Sequence, residues 1–228
     1  MRSDSNGSAR ATWWERWAPA SGAVSVILLV IAFLVAGSSP ESDDPETEIA
    51  SYLASDSNQN QNFTAFFVFL AGVLFMLVFF SVLRSRLAAA EGSGGGLAPL
   101  AFGSGVASAV LWIGAVSFFV APLAAADSRG DALNAPADLY AFSSDAGYLL
   151  WVGAVVLGAL VVWATSAVAL RTGLLPRWFA WVGVVVGVIC LFAIFFIPAF
   201  VYWAWILVAS LLLLRPRAGA SRAAPSPA

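Results

Sequence analysis

The sequence predicts an all-α fold, a polytopic transmembrane helical bundle of six transmembrane helices with both the N and C termini cytoplasmic. Composition is the first reason: 61% of the 228 residues are hydrophobic and only 11% are charged, whereas soluble domains have about 45–50% apolar and about 25% charged residues. Uncharged runs long enough to cross a bilayer recur along the chain, and the arginines fall almost entirely on one side of the predicted bundle. So few charges cannot cover a water-facing surface, which excludes a soluble domain.

The spans follow from the uncharged runs. A helix needs about 20 mostly apolar residues to cross a hydrocarbon core of roughly 30 Å. The last run, residues 178–214, would form a helix of about 55 Å, and it contains Pro198, where a proline breaks or starts a helix. We therefore predict a hairpin near Ile197 and Pro198. The predicted spans are residues 21–37, 63–83, 99–122, 147–170, 178–196 and 198–214.

The arginines predict the orientation, because short loops rich in Arg or Lys are retained in the cytoplasm. All eleven basic residues are Arg, and of these only Arg129 falls in a loop on the predicted outer side. Ten of the thirteen acids fall in the outer loops. Arginine without lysine is also typical of high-GC bacteria, so we expect a multi-pass protein of the bacterial cytoplasmic membrane with the lipid bilayer as its surroundings.

The chain ends are predicted to lie outside the bundle. Residues 1–20 form a cytoplasmic segment, residues 21–214 the membrane domain and residues 215–228 a disordered cytoplasmic tail. Trp13, Trp14 and Trp17 share one side of a short helix, which is typical of a helix lying along the membrane surface. The first span has an alternative interpretation as a cleaved signal peptide, because its apolar core is short and ends in Val-Ala-Gly-Ser-Ser.

The first outer loop is predicted to contain a helix that lies across the outer mouth of the bundle. Asp44 can cap this helix, Pro45 suits its first turn, and Glu48 complements its dipole. Residues 56–62 are rich in Asn and Gln, which indicates a polar connector, and the glycines of residues 88–96 indicate a flexible inner linker.

Little catalytic chemistry is available. The chain has no His and none of the predicted spans contains an acid, which excludes a His general base and an H-E-x-x-H zinc site. An ion-coupled transporter normally keeps a carboxylate at membrane depth, so that class is disfavoured. The lone Cys190 is interpreted as a small buried hydrophobic residue. We expect no catalytic residue, no metal and no cofactor.

Three groups of residues are the candidates for contacts. Candidate ligand-binding residues at the outer mouth are Glu48, Tyr52, Asp138, Tyr140 and Asp145. On the inner face, Arg84 and Arg86 could bind anionic lipid headgroups. Small residues that let helices approach closely are Gly183, Gly187, Ala154, Gly158, Gly103 and Gly105.

Several segments resemble a group of uncharacterised six-span membrane proteins of high-GC Gram-positive bacteria. They are Glu48-Ile-Ala-Ser-Tyr-Leu53, Leu83-Arg-Ser-Arg-Leu87, Leu100-Ala-Phe-Gly-Ser-Gly105 and Arg171-Thr-Gly-Leu-Leu-Pro-Arg-Trp178. The last is similar to a segment of the DUF4386 family, in which a Leu-Pro-Arg motif opens a late helix. The resemblance implies the same six-span topology and supplies no catalytic residue.

The leading functional hypothesis is a non-enzymatic protein that binds a membrane protein partner, a lipid or a small apolar ligand, or that forms a homo-oligomer; no nucleic acid partner is expected. The alternative is a transporter or channel for small neutral or lipophilic solutes. A membrane enzyme is the third hypothesis, and it would have to use acids at the outer mouth, namely Asp43, Asp44, Asp138 or Asp145.

Overall fold

The structure, a computed structural model, describes residues 17–92, 94–129 and 135–215. These residues form seven α-helices and two 3₁₀ turns and contain no β-strand. The helices are α1 (Ser21–Ala36), α2 (Glu46–Leu53), α3 (Asp56–Glu91), α4 (Leu97–Arg129), α5 (Pro136–Thr172), α6 (Arg177–Cys190) and α7 (Ile197–Leu214). The 3₁₀ turns, Ala18–Ala20 and Ala193–Phe195, precede α1 and α7.

Five helices in the described part of the chain are long and apolar enough to cross a membrane, namely α1 with its 3₁₀ turn, α3, α4, α5 and α7. The prediction of an all-α bundle of a multi-pass membrane protein is therefore confirmed. The predicted span 178–196 differs, because α6 has 14 residues, about 21 Å of helix. The chain then continues through the 3₁₀ turn to Phe196, and α7 begins at Ile197 with Pro198 in its first turn, as predicted.

Helix α3 begins earlier than expected, and the prediction that residues 56–62 form a connector is wrong. Ser55 caps the helix, since its Oγ accepts a hydrogen bond from the backbone N–H of Asn58 at 3.4 Å. The Gln59 side chain donates to the carbonyl of Leu53 at 2.8 Å. The first bond satisfies a backbone group at the start of α3, and the second satisfies one at the end of α2. The polar residues therefore continue α3 beyond its apolar part.

The inner linker is also shorter than predicted, because α3 continues to Glu91. The two carboxylate oxygens of Glu91 accept hydrogen bonds from the backbone N–H groups of Leu97 and Ala98, at 3.2 and 2.8 Å. This carboxylate therefore caps the N-terminus of α4, where the helix dipole favours negative charge.

Helix α2 is present, but Asp44 does not cap it. The Asp44 carboxylate accepts a hydrogen bond from the backbone N–H of Glu41 at 2.7 Å, and the N-cap position is Pro45. Instead, α2 is held by packing: Ile49 and Leu53 are buried in a small apolar cluster with Leu123 of α4 and Tyr140 of α5. Helix α2 thus lies against the ends of α4 and α5.

The bundle has two chemically distinct ends. At the arginine end, the start of α1 meets the end of α7: Ser210 Oγ donates to the carbonyl of Pro19 at 2.6 Å and accepts from the N–H of Ala23 at 3.0 Å. The described arginines that follow the apolar parts of α3, α5 and α7, or begin α6, are Arg84, Arg86, Arg171, Arg177 and Arg215. The opposite end, called the acidic end below, carries α2 and the acids of the loops around it.

Two segments whose structure was predicted from the sequence lie largely outside the described residues. Trp13 and Trp14 of the expected surface helix lie outside them, as does most of the expected tail, residues 216–228. Trp17 is described and is 52% exposed.

Candidate functional site

A cavity of about 920 Å³ lies at the acidic end of the bundle. Its walls come from α1 and the loop after it, from α2, α3, α4 and α5, and from the turn before α7. The residues that line it are Ala32, Phe33, Ala36, Gly37, Ser39, Pro40, Glu41, Ser42, Asp43, Tyr52, Asn62, Ala65, Phe66, Phe69, Val116, Phe119, Val120, Tyr140, Ser144, Asp145, Tyr148, Trp151 and Phe196. This volume lies in the range of about 300–1,000 Å³ that is typical of small-molecule sites.

The cavity extends from the loops into the apolar part of the bundle. Along α5 its lining runs from Tyr140 to Trp151, and along α3 it runs from Asn62 to Phe69. At about 1.5 Å per residue these segments are about 16 Å and about 10 Å long. The cavity therefore has a polar entrance outside the uncharged runs and an apolar lower part within them.

The entrance carries negative charge. The carboxylates of Glu41, Asp43 and Asp145 line it, and all three residues are exposed. Within the described part of the chain, no arginine is among the lining residues. Three carboxylates without a basic neighbour in the wall give the entrance a negative potential, which attracts cations and repels anions.

Two tyrosines fix the entrance. Tyr140 donates its hydroxyl to the carbonyl of Pro40 at 2.7 Å, which ties the loop after α1 to α5. The Tyr52 and Tyr140 rings meet edge to face with their centroids 6.3 Å apart, and the Tyr52 hydroxyl accepts a hydrogen bond from the Asn62 side chain at 2.9 Å. Burial raises the pKa of Tyr52 above its ordinary value, against an opposing effect of the Asn62 hydrogen bond. Tyr52 is thus a neutral phenol at physiological pH.

The lower part of the cavity is lined mostly by aromatic rings. They come from five different segments of the chain, and they are Phe33, Phe66, Phe69, Phe119, Tyr148, Trp151 and Phe196. Ala32, Ala65 and Val116 fill the spaces between the rings. Such a lining suits an apolar or aromatic ligand group and offers π-faces to a cation.

Trp151 and Phe196 form one side of this lower part. Their rings stack with centroids 4.8 Å apart and an interplanar angle of 13°. Phe196 has φ of +63°, a backbone conformation that costs a non-glycine residue about 1–3 kcal/mol. The stacking on Trp151 and the edge contact with Phe200, at 5.7 Å between centroids, hold the ring in place despite this strain.

Beneath the cavity, a tryptophan cluster fills the bundle. The rings of Trp112 and Trp151 meet edge to face at 4.2 Å, and Trp203 lies 5.6 Å from Trp112 and 5.8 Å from Trp151. All three are buried, and their indole N–H groups have no hydrogen-bond acceptor among the described residues. Of the three, only Trp151 lines the cavity.

The structure brings three of the five predicted mouth residues together, since Tyr52, Tyr140 and Asp145 all line the cavity. Glu48 and Asp138 do not. Glu48 is exposed, so it lies on the solvent side of α2. Asp138 is exposed in the first turn of α5.

Sequence reasoning missed the aromatic lining and Glu41 as cavity residues, and it named Asp43 at the outer mouth only under the membrane-enzyme hypothesis. A signal was present: Phe33, Phe66, Phe119 and Tyr148 each lie within a few residues of the acidic end of a predicted span. Aromatic residues at one depth on several spans indicate either an interfacial belt or a shared cavity, and helix packing decides between them.

Most of the predicted packing residues lie at close helix contacts. An added Cβ at Gly158 would lie 2.7 Å from Tyr202 of α7, and one at Gly105 would lie 2.6 Å from Phe80 of α3. Added Cβ atoms at Gly183 and Gly187 would collide with side chains of α5, those of Ser166 and Trp163 respectively. These contacts join five of the helices, α3 to α7.

Two predicted packing positions differ from the others. The carbonyl of Ala154 accepts a hydrogen bond from the Ser108 hydroxyl at 2.7 Å, which joins α5 to α4. Gly103 makes no close contact, because an added Cβ there would meet nothing within 4 Å. It lies on an open face of α4.

The predicted headgroup residues lie at the arginine end, far along α3 from the cavity. The Arg84 guanidinium lies over the Phe102 ring, with 5.3 Å between Cζ and the ring centroid. Arg86 lies two residues further along α3. The described residues contain no group of three or more His, Cys, Asp or Glu side chains placed to hold a metal ion.

Comparisons with protein-family models, with characterised proteins and with solved structures find no match to this chain. The resemblance to the DUF4386 family therefore stays a prediction, and the cavity is the main structural feature that bears on function.

Proposed function

We propose that this chain is a six-span protein of the bacterial cytoplasmic membrane, with both termini cytoplasmic, that acts without catalysis by binding a lipid or another small apolar or amphipathic ligand in the cavity at its acidic end. The observation that carries the proposal is the cavity itself, a space of about 920 Å³ with a polar entrance and an aromatic lower part. Pockets of this size and lining are the usual sites of small ligands.

Six crossings are supported by the path of the chain after α5. Helix α6 begins at the arginine end with Arg177, and Phe179 stacks on Trp205 of α7 with 5.6 Å between ring centroids. The chain reaches the cavity at Phe196. The 14-residue helix and the 3₁₀ turn together therefore carry the chain along the bundle from one end to the other, and α7 returns.

A retained first span is supported by the packing of α1. Leu29 and Ala32 of α1 are buried in the main core, and Gly22 approaches Phe79 of α3 so closely that an added Cβ would lie 2.6 Å from the ring. Cleavage at a signal-peptide site near Gly37 would remove one wall of the cavity as well as this contact.

Binding is favoured over conduction by the tryptophan cluster. A transporter or channel needs a path through the bundle, and below Trp151 the rings of Trp112 and Trp203 occupy its centre, both almost fully buried. The cavity is thus a pocket that is open at the acidic end.

The proposal is tested by filling the cavity. The full chain is placed in lipid nanodiscs and titrated with Nile red, a neutral apolar dye, with empty nanodiscs as the background. Val120 lines the cavity, so Val120→Trp should abolish saturable dye binding. Val110 lies on the same helix and is 60% exposed, so Val110→Trp should leave it unchanged. Equal binding to both variants, or none to the wild type, contradicts the proposal.

A further inference from the structure

We propose that the ligand of the cavity is a lipophilic organic cation, such as a quaternary ammonium or phosphonium ion. This inference rests on the proposed ligand-binding function and specifies its chemical class. Two features of the cavity select a cation: the sign of the charge at its entrance, and the π-faces of its lower part.

The entrance selects by charge. Three acidic residues, Glu41, Asp43 and Asp145, belong to the cavity wall, and none of the described residues that line it is basic. An anionic group, such as a phosphate or a fatty-acid carboxylate, would meet only like charge among the ionised side chains. A cation entering between α1 and α5 is attracted by all three carboxylates.

The lower part of the cavity favours cations that are weakly hydrated. Ammonium and phosphonium ions that carry apolar substituents are weakly hydrated, so they can leave water for a site made of rings. Phe66 and Phe119 line this part together with the stacked pair Trp151 and Phe196. Aromatic cages are a recurring site for quaternary ammonium groups. An uncharged ligand would gain the ring contacts but not the attraction of the entrance.

The two features lie within one ligand's reach. Asp145 and Trp151 are separated by six residues of α5, about 9 Å along the helix axis. A cation with aryl or alkyl groups of that size contacts the rings while its charge stays close to the carboxylates. Small hydrated ions such as Na⁺ gain little from the rings, so the geometry favours bulky cations over metal ions.

A matched pair of probes tests the inference. Tetraphenylphosphonium and tetraphenylborate have nearly the same size and shape and opposite charge. Binding of each is measured by equilibrium dialysis against the full chain in nanodiscs of uncharged lipid, and partition into empty nanodiscs is subtracted. We expect the phosphonium to bind about tenfold or more tightly than the borate, because the cation–π contact and the carboxylates both favour the cation.

Charge-neutralising variants test whether the acids at the entrance cause the preference for the cation. The rim variant combines Glu41→Gln, Asp43→Asn and Asp145→Asn. Its control combines Glu46→Gln, Asp56→Asn and Asp127→Asn, which removes the same charge from the acidic end at residues that do not line the cavity. We expect the rim variant to lose about tenfold in phosphonium affinity and the control to lose about twofold or less, since exposed charges outside the cavity wall are screened by water and salt.

Nile red binding distinguishes a failure of the cation inference from a failure of the proposed function. If the dye binds the wild type but the two ions bind equally, or if the rim variant keeps its phosphonium affinity while still binding the dye, the cation inference is wrong and the proposed function stands. If neither the dye nor either ion binds saturably, the proposed function fails and the inference fails with it. The comparison of the two ions uses the wild type alone, so it holds even where the rim variant does not fold.

Discussion

Replacing Gly158 by alanine should destabilise the bundle. Gly158 of α5 faces the ring of Tyr202 on α7, and an added Cβ would lie 2.7 Å from Cζ and 2.8 Å from Cε1 of that ring. Tyr202 is fully buried, so the ring has little room to move away. Overpacking of this kind costs about 1–3 kcal/mol, and α5 and α7 would have to separate to relieve it.

Gly103 provides the matched control, because the same substitution on the open face of α4 meets nothing within 4 Å. Both variants gain about 0.5–1 kcal/mol from the higher helix propensity of alanine, so the difference between them isolates the packing cost. Reversible unfolding by SDS titration in mixed micelles should place Gly158→Ala about 1–3 kcal/mol below Gly103→Ala. Equal free energies of unfolding would refute the contact between α5 and α7.

Other predictions concern the acidic end and the orientation. Tyr140→Phe removes the hydrogen bond to Pro40, so hydrogen exchange of residues 37–44 should become faster while exchange in α7 stays unchanged; unchanged loop exchange would count against the tether. Burial raises the pKa of Tyr52, so its contribution to stability is complete below the ordinary tyrosine pKa of about 10 and is lost as the pH rises through the folded value; thermal unfolding should show a smaller alkaline loss for Tyr52→Phe than for the wild type. In a Cys190→Ala background, a membrane-impermeant maleimide should label Asp43→Cys in intact cells and Ser85→Cys only after permeabilisation, and the reverse pattern would invert the proposed orientation.

Hydropathy predicted most of the helical framework because the requirement is simple: a crossing helix must be long and free of charge. The lengths of α3 and α5 were underestimated for the same reason. The helices continue past their uncharged runs, where polar side chains form local hydrogen bonds with the backbone, as Gln59 does with the carbonyl of Leu53. Hydropathy does not detect these bonds. The uncharged run also gave no sign that α6 ends at Cys190, within the predicted span 178–196.

The cavity could be predicted only in part. Topology placed Tyr52, Tyr140 and Asp145 at one end, and the structure puts all three in the cavity wall. Phe33, Phe66 and Phe119 could not be assigned, since a phenylalanine in a span faces lipid as readily as it faces a cavity. Which face is inward depends on the rotation of each helix about its axis, and close contacts such as the one between Gly158 and Tyr202 set it.

Photolabelling tests the central claim, that the acidic end of this bundle holds a ligand, most directly. A neutral aryl diazirine is added to the full chain in nanodiscs and activated by light, and the labelled residues are identified by mass spectrometry. We predict saturable labelling at Phe66, Phe119 and Trp151, which Val120→Trp abolishes. Labelling confined to lipid-facing residues such as Val110, with no saturable component in the wild type, would contradict the account.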